Sequence, residues 1–398
     1  MPIRIVAPET TALVSARDFV TAPRMDRFVV HRENLEQLAE RGRLRTLRPR
    51  AGVDFASNDY LALGMAPRIA EAVRRASLAG VPVGSGGSRL LRGNDPEHEI
   101  LEAEAARFFG SEAALFFSSG YAANTALFAT LPQRGDLLLY DVLCHASAHD
   151  GMRLGRAECR SVAHNDAAAF DDAIRGWRGE GGSGRVWIAV ESLYSMDGDF
   201  APLDDLQAVA EAHDAFLIVD EAHATGVFGE NGRGCAAGLH GRENVLTLHT
   251  CGKALGCEGA LLCLPAILRD FLINRARPFI FSTAPSPLIA AAVREALVCL
   301  GEEPDRRNRL RRLITHAERA LAPCGVAATG SQILPLIIGD DAATMALAGR
   351  LQEAGFDVRG IRPPTVPPGT ARLRISLTLH ATLEDVDRLA AAIAEARA

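Results

Sequence analysis

The 398-residue sequence is almost devoid of lysine. Lys253 is the only one, so the other 42 of the 43 basic residues are arginines. Arginine keeps its charge at any working pH and cannot act as an amine nucleophile, whereas a lysine can once burial or neighbouring charges lower its pKa. A composition that uses arginine nearly everywhere therefore indicates that Lys253 is kept where a free amine is needed, as in Schiff-base chemistry. Chance survival of one lysine is the alternative.

Other features are also missing, and each absence excludes a class of protein. No stretch of 18 uninterrupted apolar residues is present, which argues against a membrane-spanning helix, and the N-terminus lacks the pattern of a secretory signal. The net charge of −6 and the pI near 6.0 give no sign of a nucleic-acid-binding surface. The eight cysteines form no C-x-x-C pair and match no zinc-site spacing, which favours reduced thiols in a cytoplasmic protein without a metal.

Short apolar runs alternate with helical patterns over the middle of the chain, which is typical of an α/β domain with a mostly parallel sheet. The strand candidates are AALFFSSG, DLLLYD, VWIAVES, AFLIVDE, VLTLHT and GALLCL. ILPLIIG and RLRISLTL, with helical stretches around them, predict a smaller α+β domain near the C-terminus. We therefore expect an N-terminal extension and arm over residues 1–65, a large domain over 66–294 and a small domain over 295–398.

Ligand sites in parallel sheets lie beyond the carboxyl ends of the strands, so the residues that follow each apolar run are the candidates for chemistry. These residues are Ser118, Ser119, Gly120, His145, Glu191, Asp220, His223, Thr250 and Lys253.

The pattern around the lysine suits pyridoxal phosphate. Asp220 follows a buried strand, where its carboxylate can pair with the protonated pyridine nitrogen that makes this cofactor an electron sink. His223 is placed to bond the phenolic oxygen of the cofactor, and His145 to stack on its ring. The alternatives are a helix-capping role for Asp220 and a satisfied core position for each histidine.

A phosphate site is predicted where SSGYAAN ends a strand and opens a helix, because the first backbone N–H groups of a helix bind anions. Thr250, Ser282 and Thr283 offer hydroxyl groups to the same anion. Gly120 has a simpler alternative reading as the residue that fits a tight turn.

Two other motif assignments, a helicase box and a dinucleotide-binding loop, do not fit the sequence. Asp220–His223 spells DEAH, as in helicases, but the required phosphate loop G-x-x-x-x-G-K-[ST] is missing, since Thr247 and Ala254 stand at two of its fixed positions. The glycine-rich GVPVGSGGSRLLRGN does not follow a strand and open a helix as a dinucleotide-binding loop must.

Seven motifs in this order give the chain its resemblance to a known family: FASNDYLALG, GSGGSRLLRGN, HASAHDG, ESLYSMDGDFAPL, VDEAHATGVFGENGRG, TCGKALG and FSTAPSP. From about Arg32 to the C-terminus, the sequence resembles the α-oxoamine synthases, which are fold-type I pyridoxal-phosphate enzymes with a mostly parallel central sheet. IRPPTVPPGTARLRIS resembles the branch that joins L-alanine to pimeloyl-CoA or the pimeloyl-acyl carrier protein in biotin synthesis.

The resemblance implies roles for particular residues. Lys253, His145, Asp220 and His223 would be catalytic, with Lys253 forming the Schiff base. The implied cofactor-binding residues are Gly120, Tyr121, His145, Ser195, Asp220, His223, Thr250, Lys253 and Thr283. The implied substrate-binding residues are Arg48, Asn58, Glu191 and Arg374, with Arg374 holding the amino-acid carboxylate.

The resemblance also implies a homodimer, with Thr283 reaching the active site of the second subunit. The charge and the apolar pattern of the sequence already argue against a nucleic-acid or membrane partner. Other α-oxoamine synthase activities stay open, namely those of 2-amino-3-ketobutyrate ligase, 5-aminolevulinate synthase, serine palmitoyltransferase and autoinducer synthase. A non-catalytic binding scaffold of the same fold is the alternative from a different class.

Overall fold

The computed structural model describes residues 26–397. Residue contacts divide the chain into two units, Met1–Pro49 and Arg50–Ala398. The described part of the first unit contains the helix α1 (Val29–Glu40) and the arginine-rich segment that follows it. Residues 1–25, which belong to the predicted N-terminal extension, lie outside the described residues.

The second unit holds the remaining helices and strands. Its helices are α2 (Pro67–Leu78), α3 (Pro96–Phe109), α4 (Gly120–Thr130), α5 (Ala146–Leu154), α6 (Ala167–Gly179), α7 (Leu203–Ala212), α8 (Ala266–Arg275), α9 (Arg277–Ile280), α10 (Pro287–Glu302), α11 (Pro304–Leu321), α12 (Asp341–Glu353) and α13 (Leu383–Arg397). Its strands are β1 (Val53–Asp54), β2 (Ala113–Phe117), β3 (Leu137–Asp141), β4 (Glu158–Val162), β5 (Val186–Glu191), β6 (Phe216–Asp220), β7 (Val245–Thr250), β8 (Ala260–Leu264), β9 (Ile333–Gly339), β10 (Phe356–Asp357), β11 (Arg359–Ile361) and β12 (Ala371–Ser376).

A seven-stranded sheet with the order β2-β8-β7-β6-β5-β3-β4 forms the centre of this unit. Its strands run parallel except β8, which is antiparallel to both of its neighbours. The six strands predicted in this region are confirmed. The sequence did not indicate β4, because this edge strand is largely exposed and its ECRSV sequence contains no apolar run.

Both faces of the sheet are buried under helices, which explains why its strands read as continuous apolar runs. Successive side chains of a strand point to opposite faces. Ile218 accordingly packs with residues of α4 and α5, whereas Leu217 and Val219 pack with residues of α6 and α7. The carboxyl ends of β5, β6 and β7 are thereby held side by side at one edge, where the candidate residues follow.

A second, antiparallel sheet has the order β11-β12-β9 and confirms the strands predicted near the C-terminus. The segment after β1 lies against it: Ser376 N–H donates to the Phe55 carbonyl at 2.9 Å and Leu379 N–H to the Tyr60 carbonyl at 3.1 Å. These bonds hold residues 55–60 beside the end of β12. The predicted boundary between residues 294 and 295 falls inside α10, and the division into large and small domains stays a prediction.

None of the helices formed by residues 26–397 combines the length and the apolar character that crossing a membrane requires.

Candidate active site

Lys253 lies in the turn between β7 and β8. The turn is closed by backbone hydrogen bonds from Gly256 N–H to the Lys253 carbonyl and from Cys257 N–H to the Cys251 carbonyl, both 2.8 Å long. Gly256 has a φ of +64°, and a Cβ atom there would lie 2.2 Å from the backbone nitrogen of Gly64, so only glycine fits. The turn presents Lys253 Nζ 2.8 Å from Nε2 of His223.

The surroundings of Lys253 bring the pKa of its amine down towards the physiological range. Burial lowers its pKa to about 8, and the charge of Arg374 acts in the same direction, while Asp220 and Glu191 oppose the shift. Burial and the positive charges of Lys253 and Arg374 hold the pKa of His223 well below its ordinary value. The imidazole beside the amine is therefore neutral, and the amine can gain or lose its proton in the physiological range.

Two carboxyl groups end neighbouring strands of the sheet. Glu191 is the last residue of β5 and stands in register with Asp220, the last residue of β6. Asp220 accepts hydrogen bonds from Ala222 N–H and from Asn124 Nδ2, both at 2.9 Å. Glu191 is 4% exposed, and burial together with the charge of Asp220 raises its pKa to about 8. The Glu191 carboxyl group is therefore protonated at neutral pH.

His145 caps the start of α5, and the residue as a whole is exposed. Its Nδ1 lies 2.8 Å from the Ser147 hydroxyl, which accepts a hydrogen bond from Asn124 Nδ2 at 3.0 Å. Since the same amide group also donates to Asp220, the buried Asn124 links Asp220 to His145 through the Ser147 hydroxyl. This arrangement holds Nδ1 at one edge of the imidazole in place.

The start of α4 has the features of an anion site. Ser119 caps this helix by accepting from Ala122 N–H at 3.1 Å. A Cβ atom on Gly120 would lie 3.6 Å from Oγ1 of Thr250, so the first N–H groups of the helix and this hydroxyl are neighbours. Tyr121 lies in the first turn, and its hydroxyl donates to Asp150 on α5. Thr283 lies near the end of β2, where it lines a cavity of about 10 Å³ together with Ser118.

Arg374 of β12 occupies the other end of the site and is 7% exposed. Its Nε donates to the Ser195 carbonyl at 2.5 Å, and both terminal nitrogens approach Asn58 Oδ1 at 3.2 Å. Nη1 also donates to the Ser376 hydroxyl at 2.6 Å. The structure thus brings together three residues that are far apart in sequence, Arg374, Asn58 and Ser195.

Three further residues of the site were not predicted. Tyr60 Oη lies 2.7 Å from His223 Nδ1, Asn124 bonds Asp220, and Gln332 Nε2 donates to the His223 carbonyl at 2.8 Å. Tyr60 and Asn124 lie inside the motifs FASNDYLALG and SSGYAAN, so a residue-by-residue reading of those motifs could have found them. Nothing in the sequence marks Gln332.

Arg48 belongs to the N-terminal unit and not to the unit that contains the other predicted residues. Its role as a substrate contact stays a prediction.

The donor set fits pyridoxal phosphate. The site offers one primary amine with a lowered pKa, one carboxylate at a strand end and one exposed histidine. It also offers a helix N-terminus beside a threonine hydroxyl, which suits a phosphate group. Among residues 26–397, no group of histidine, cysteine, aspartate and glutamate side chains is arranged to hold a metal ion.

Comparison with known proteins agrees with this chemistry. Residues 50–393 match the family model "Aminotransferase class I and II". The 8-amino-7-oxononanoate synthase of Chromobacterium violaceum is 43% identical over 346 residues, which cover 85% of this chain and 88% of that protein.

Two solved structures extend the comparison to the fold. A variant of serine palmitoyltransferase from S. paucimobilis, with a bound PLP–myriocin aldimine, superposes with a TM-score of 0.84 at 25% identity, covering 94% of this chain and 98% of its own. The 8-amino-7-oxononanoate synthase of Francisella tularensis gives a TM-score of 0.74 at 29% identity, covering 86% and 97%. The chain therefore belongs to the class I and II aminotransferase family, and within it to the α-oxoamine synthases.

Proposed function

We propose that this chain is a pyridoxal-phosphate-dependent acyltransferase that condenses L-alanine with a pimeloyl thioester. The products would be 8-amino-7-oxononanoate, CO₂ and the free thiol, as in a step of biotin biosynthesis. The observation that carries the proposal is the sole lysine, with its lowered pKa, at the same sheet edge as Asp220. The 43% identity to an 8-amino-7-oxononanoate synthase supports the choice of substrates.

The cofactor would be held by residues at the carboxyl edge of the seven-stranded sheet. We assign Lys253 to its covalent attachment, Asp220 to its ring nitrogen, and the N-terminus of α4 with Thr250 to its phosphate. His145 would cover the ring face, and His223 would face the phenolic oxygen. When bound, pyridoxal phosphate supplies an electron sink for the carbanion formed next to the amino group of the substrate.

The residues of the chain then have separate tasks. The Lys253 amine takes the proton from the carbon next to the substrate amino group and later returns it. Arg374 binds the amino-acid carboxylate through its planar fork and orients the bond that is lost as CO₂. Because Glu191 is protonated near neutral pH, it places no second negative charge beside Asp220. Asp220 thus remains available to a cationic partner.

A substrate panel tests this function. The purified chain, loaded with pyridoxal phosphate, is given L-alanine, glycine or L-serine with pimeloyl, acetyl, succinyl or palmitoyl thioesters, and thiol release and product mass are measured. Pimeloyl-CoA and the pimeloyl-acyl carrier protein are compared directly. We expect the highest kcat/KM for L-alanine with a pimeloyl thioester. A clear preference for any other pair would overturn the assignment while leaving the family intact.

Serine palmitoyltransferase activity is the second candidate, because such an enzyme superposes better than the 8-amino-7-oxononanoate synthase from Francisella tularensis, with TM-scores of 0.84 and 0.74. The sequence identity of 25% is much lower than the 43% seen with the Chromobacterium violaceum relative, which favours the first candidate. L-Serine with palmitoyl-CoA separates the two in the same panel.

We also propose a homodimer in which Thr283 reaches the second active site. Ala284 N–H bonds the Gly87 carbonyl at 2.9 Å, and the apolar side chains Val83, Leu91 and Phe281 near this contact are 75%, 84% and 71% exposed. Several exposed apolar side chains near one such contact are what a subunit interface would bury. Sedimentation of the purified chain as a monomer would contradict the proposal.

The cytoplasm is the proposed location. All eight cysteines are free thiols, five of them buried, as is usual in a reducing compartment. A fusion of the chain to a fluorescent protein, imaged in its host, tests this.

A further inference from the structure

The loop of residues 192–201 joins β5 to α7 and reaches the active site at Arg374. Its two ends are tied together, because Ala201 N–H donates to the Ser192 carbonyl at 3.1 Å. Nearer its tip, the Ser195 carbonyl accepts a hydrogen bond from Arg374 Nε at 2.5 Å. A guanidinium group is planar, so a fixed Nε–H also fixes the plane of the other two nitrogens. The position of the loop therefore sets the direction in which the fork of donors points.

His164 lies in the turn after β4 and contacts this loop. Its Nδ1 lies 2.9 and 3.0 Å from the two carboxylate oxygens of Asp141, the last residue of β3. Its Nε2 lies 2.7 Å from Oδ2 of Asp199 in the loop. Asp141 is fully buried, with 0% exposure. The imidazole thus ties the loop to the carboxyl end of the seven-stranded sheet.

The contacts at both ring nitrogens require a charged imidazole. A neutral imidazole has only one N–H, so one nitrogen lone pair would face a carboxylate oxygen at 2.7 or 2.9 Å. Both oxygens of Asp141 also accept backbone N–H groups, from Leu143 and Asn165 at 2.8 Å, so neither is placed to donate a proton to the ring. Burial lowers the pKa of His164, but the hydrogen bonds to Asp141 and Asp199 outweigh it and raise the pKa above its ordinary value.

The groups that face the imidazole come from three elements. They are Asp141 on β3, Asp199 and Tyr194 on the loop, and Asn165 beside His164 in the turn after β4. Tyr194 lies edge-on to the imidazole, with 4.5 Å between the ring centroids, and Asn165 Nδ2 donates to Asp199 Oδ2 at 2.8 Å. The charged members of this set, Asp141 and Asp199, both favour the protonated imidazole.

We propose that His164 is a positioning residue for Arg374. As an imidazolium it fixes the 192–201 loop, and the loop carries the Ser195 carbonyl that orients the guanidinium. When the imidazole loses its proton to solvent, one ring nitrogen no longer holds a carboxylate. The loop and the guanidinium then gain freedom, and the carboxylate of an amino acid is bound less tightly. This role rests on the proposed function, in which Arg374 binds that carboxylate.

The His164→Gln variant breaks the link between the two carboxylates. Glutamine has no charge, and its single amide cannot donate in the two opposite directions that Nδ1 and Nε2 serve. The chain loaded with pyridoxal phosphate is titrated with L-alanine, and the absorption spectrum of the bound cofactor gives the Kd. We expect the Kd to rise about tenfold at pH 7, the effect of about one hydrogen bond to a charged group. An unchanged Kd would overturn the proposal.

His213→Gln is the matched control. His213 Nε2 lies 2.5 Å from Asp171 Oδ1, a contact that joins the end of α7 to α6 and involves no residue of the 192–201 loop. The Kd for L-alanine should stay unchanged in this variant. An equal rise in both variants would show that the loss of any histidine–carboxylate contact weakens binding, which contradicts a specific role for His164.

The pH dependence separates this role from a general loss of stability. Because the pKa of His164 is raised in the folded chain, the link is complete below the ordinary value of 6.5 and is lost as the pH rises through the folded value. The Kd of His164→Gln divided by that of the unaltered chain should therefore be largest near pH 6 and shrink towards pH 9. This ratio cancels titrations that both chains share, such as that of Lys253. A constant ratio would contradict the imidazolium link.

Glycine and L-serine are titrated in the same way, because they carry the same carboxylate as L-alanine. We expect equal losses of affinity for all three amino acids in His164→Gln. If none of the three changed the spectrum of the unaltered chain, the proposed function would fail, and this role with it. Binding that His164→Gln leaves as tight as before would overturn the role of His164 alone.

Asp199→Asn is measured if His164→Gln does not fold. This change removes the carboxylate charge on the loop and leaves His164 and the buried Asp141 in place. The Kd for L-alanine should again rise, because the imidazolium no longer pairs with a charge on the loop. Equal affinity in Asp199→Asn and the unaltered chain would refute the positioning role.

Discussion

The two ends of the active site are built in different ways. At the lysine end, Lys253, Asp220 and Thr250 all follow or end strands of the seven-stranded sheet, and their positions follow from its parallel arrangement. At the arginine end, Arg374 belongs to β12 of a second sheet and meets Asn58 from the segment after β1. The first end obeys a general rule of parallel sheets, whereas the second depends on one particular packing contact.

The two ends of the site therefore have different proposed roles, the lysine end in the chemical step and the arginine end in substrate recognition. In the proposed function, the lysine end carries the groups that handle protons and charge, and the arginine end carries a fork of donors for the amino-acid carboxylate. Tyr60 and His223 form the junction, since Tyr60 Oη lies 2.7 Å from His223 and 3.5 Å from Arg374. If this division is correct, changes at the lysine end should abolish turnover, and changes at the arginine end should weaken substrate binding.

The largest effect is expected for Lys253→Arg. Arginine keeps a positive charge but cannot act as a free amine, so kcat should fall about 10³-fold or more while the fold is retained. Steady-state kinetics with L-alanine and a pimeloyl thioester measure the loss, and thermal unfolding monitors the fold.

The matched control for this change keeps the composition constant. The double variant Lys253→Arg with Arg309→Lys restores one lysine at an exposed position on α11. It should remain inactive, and Arg309→Lys alone should behave as the unaltered chain. Normal turnover in the Lys253→Arg variant would contradict a catalytic role for Lys253.

An intermediate effect is expected for Arg374→Lys. Lysine keeps the charge but loses the planar fork that contacts Asn58 and the Ser195 carbonyl. We expect the KM for L-alanine to rise roughly 10- to 100-fold, with the KM for the thioester nearly unchanged. Arg359→Lys is the control, because Arg359 stands opposite Arg374 in the sheet but pairs with Asp357. A rise confined to the thioester KM would refute the recognition role.

The smallest effect on turnover is expected for Glu191→Gln. Because Glu191 is protonated at neutral pH, its amide analogue should keep kcat within about threefold. Asp220→Asn provides the contrast, since its amide nitrogen cannot accept the hydrogen bonds that Ala222 and Asn124 donate to the two carboxylate oxygens. A similar loss of activity in the two variants would contradict different roles for the two carboxyl groups.

The Glu191→Gln variant should also change how the free energy of unfolding depends on pH. The pKa of Glu191 is about 8 in the folded chain and lies near 4.3 in an unfolded one, so the folded state binds the extra proton between these values. The stability of the unaltered chain should therefore fall with rising pH across this window, relative to Glu191→Gln. Melting temperatures at pH 5, 7 and 9 measure the difference, which should be largest at pH 9. A constant difference would show that Glu191 titrates normally.

Much of the lysine end was predictable from the residues alone. The six apolar runs became strands, and the residues that follow them met at one edge, because both faces of the sheet are covered and the strands cannot slip. The arginine end was predictable only through family resemblance. Nothing in the pattern around Arg374 or Asn58 indicates that β12 and the segment after β1 lie side by side.

The sequence by itself determined the α/β architecture, the strand ends and the identity of the amine. These features follow from local apolar runs and from the presence of a single lysine among 43 basic residues. Only the tertiary structure decided which distant groups lie around that amine, namely the Tyr60 hydroxyl that contacts His223 and the Arg374 charge that helps to lower the pKa of Lys253. Contacts between segments more than 100 residues apart depend on how the two sheets pack, and no local pattern along the chain encodes that packing.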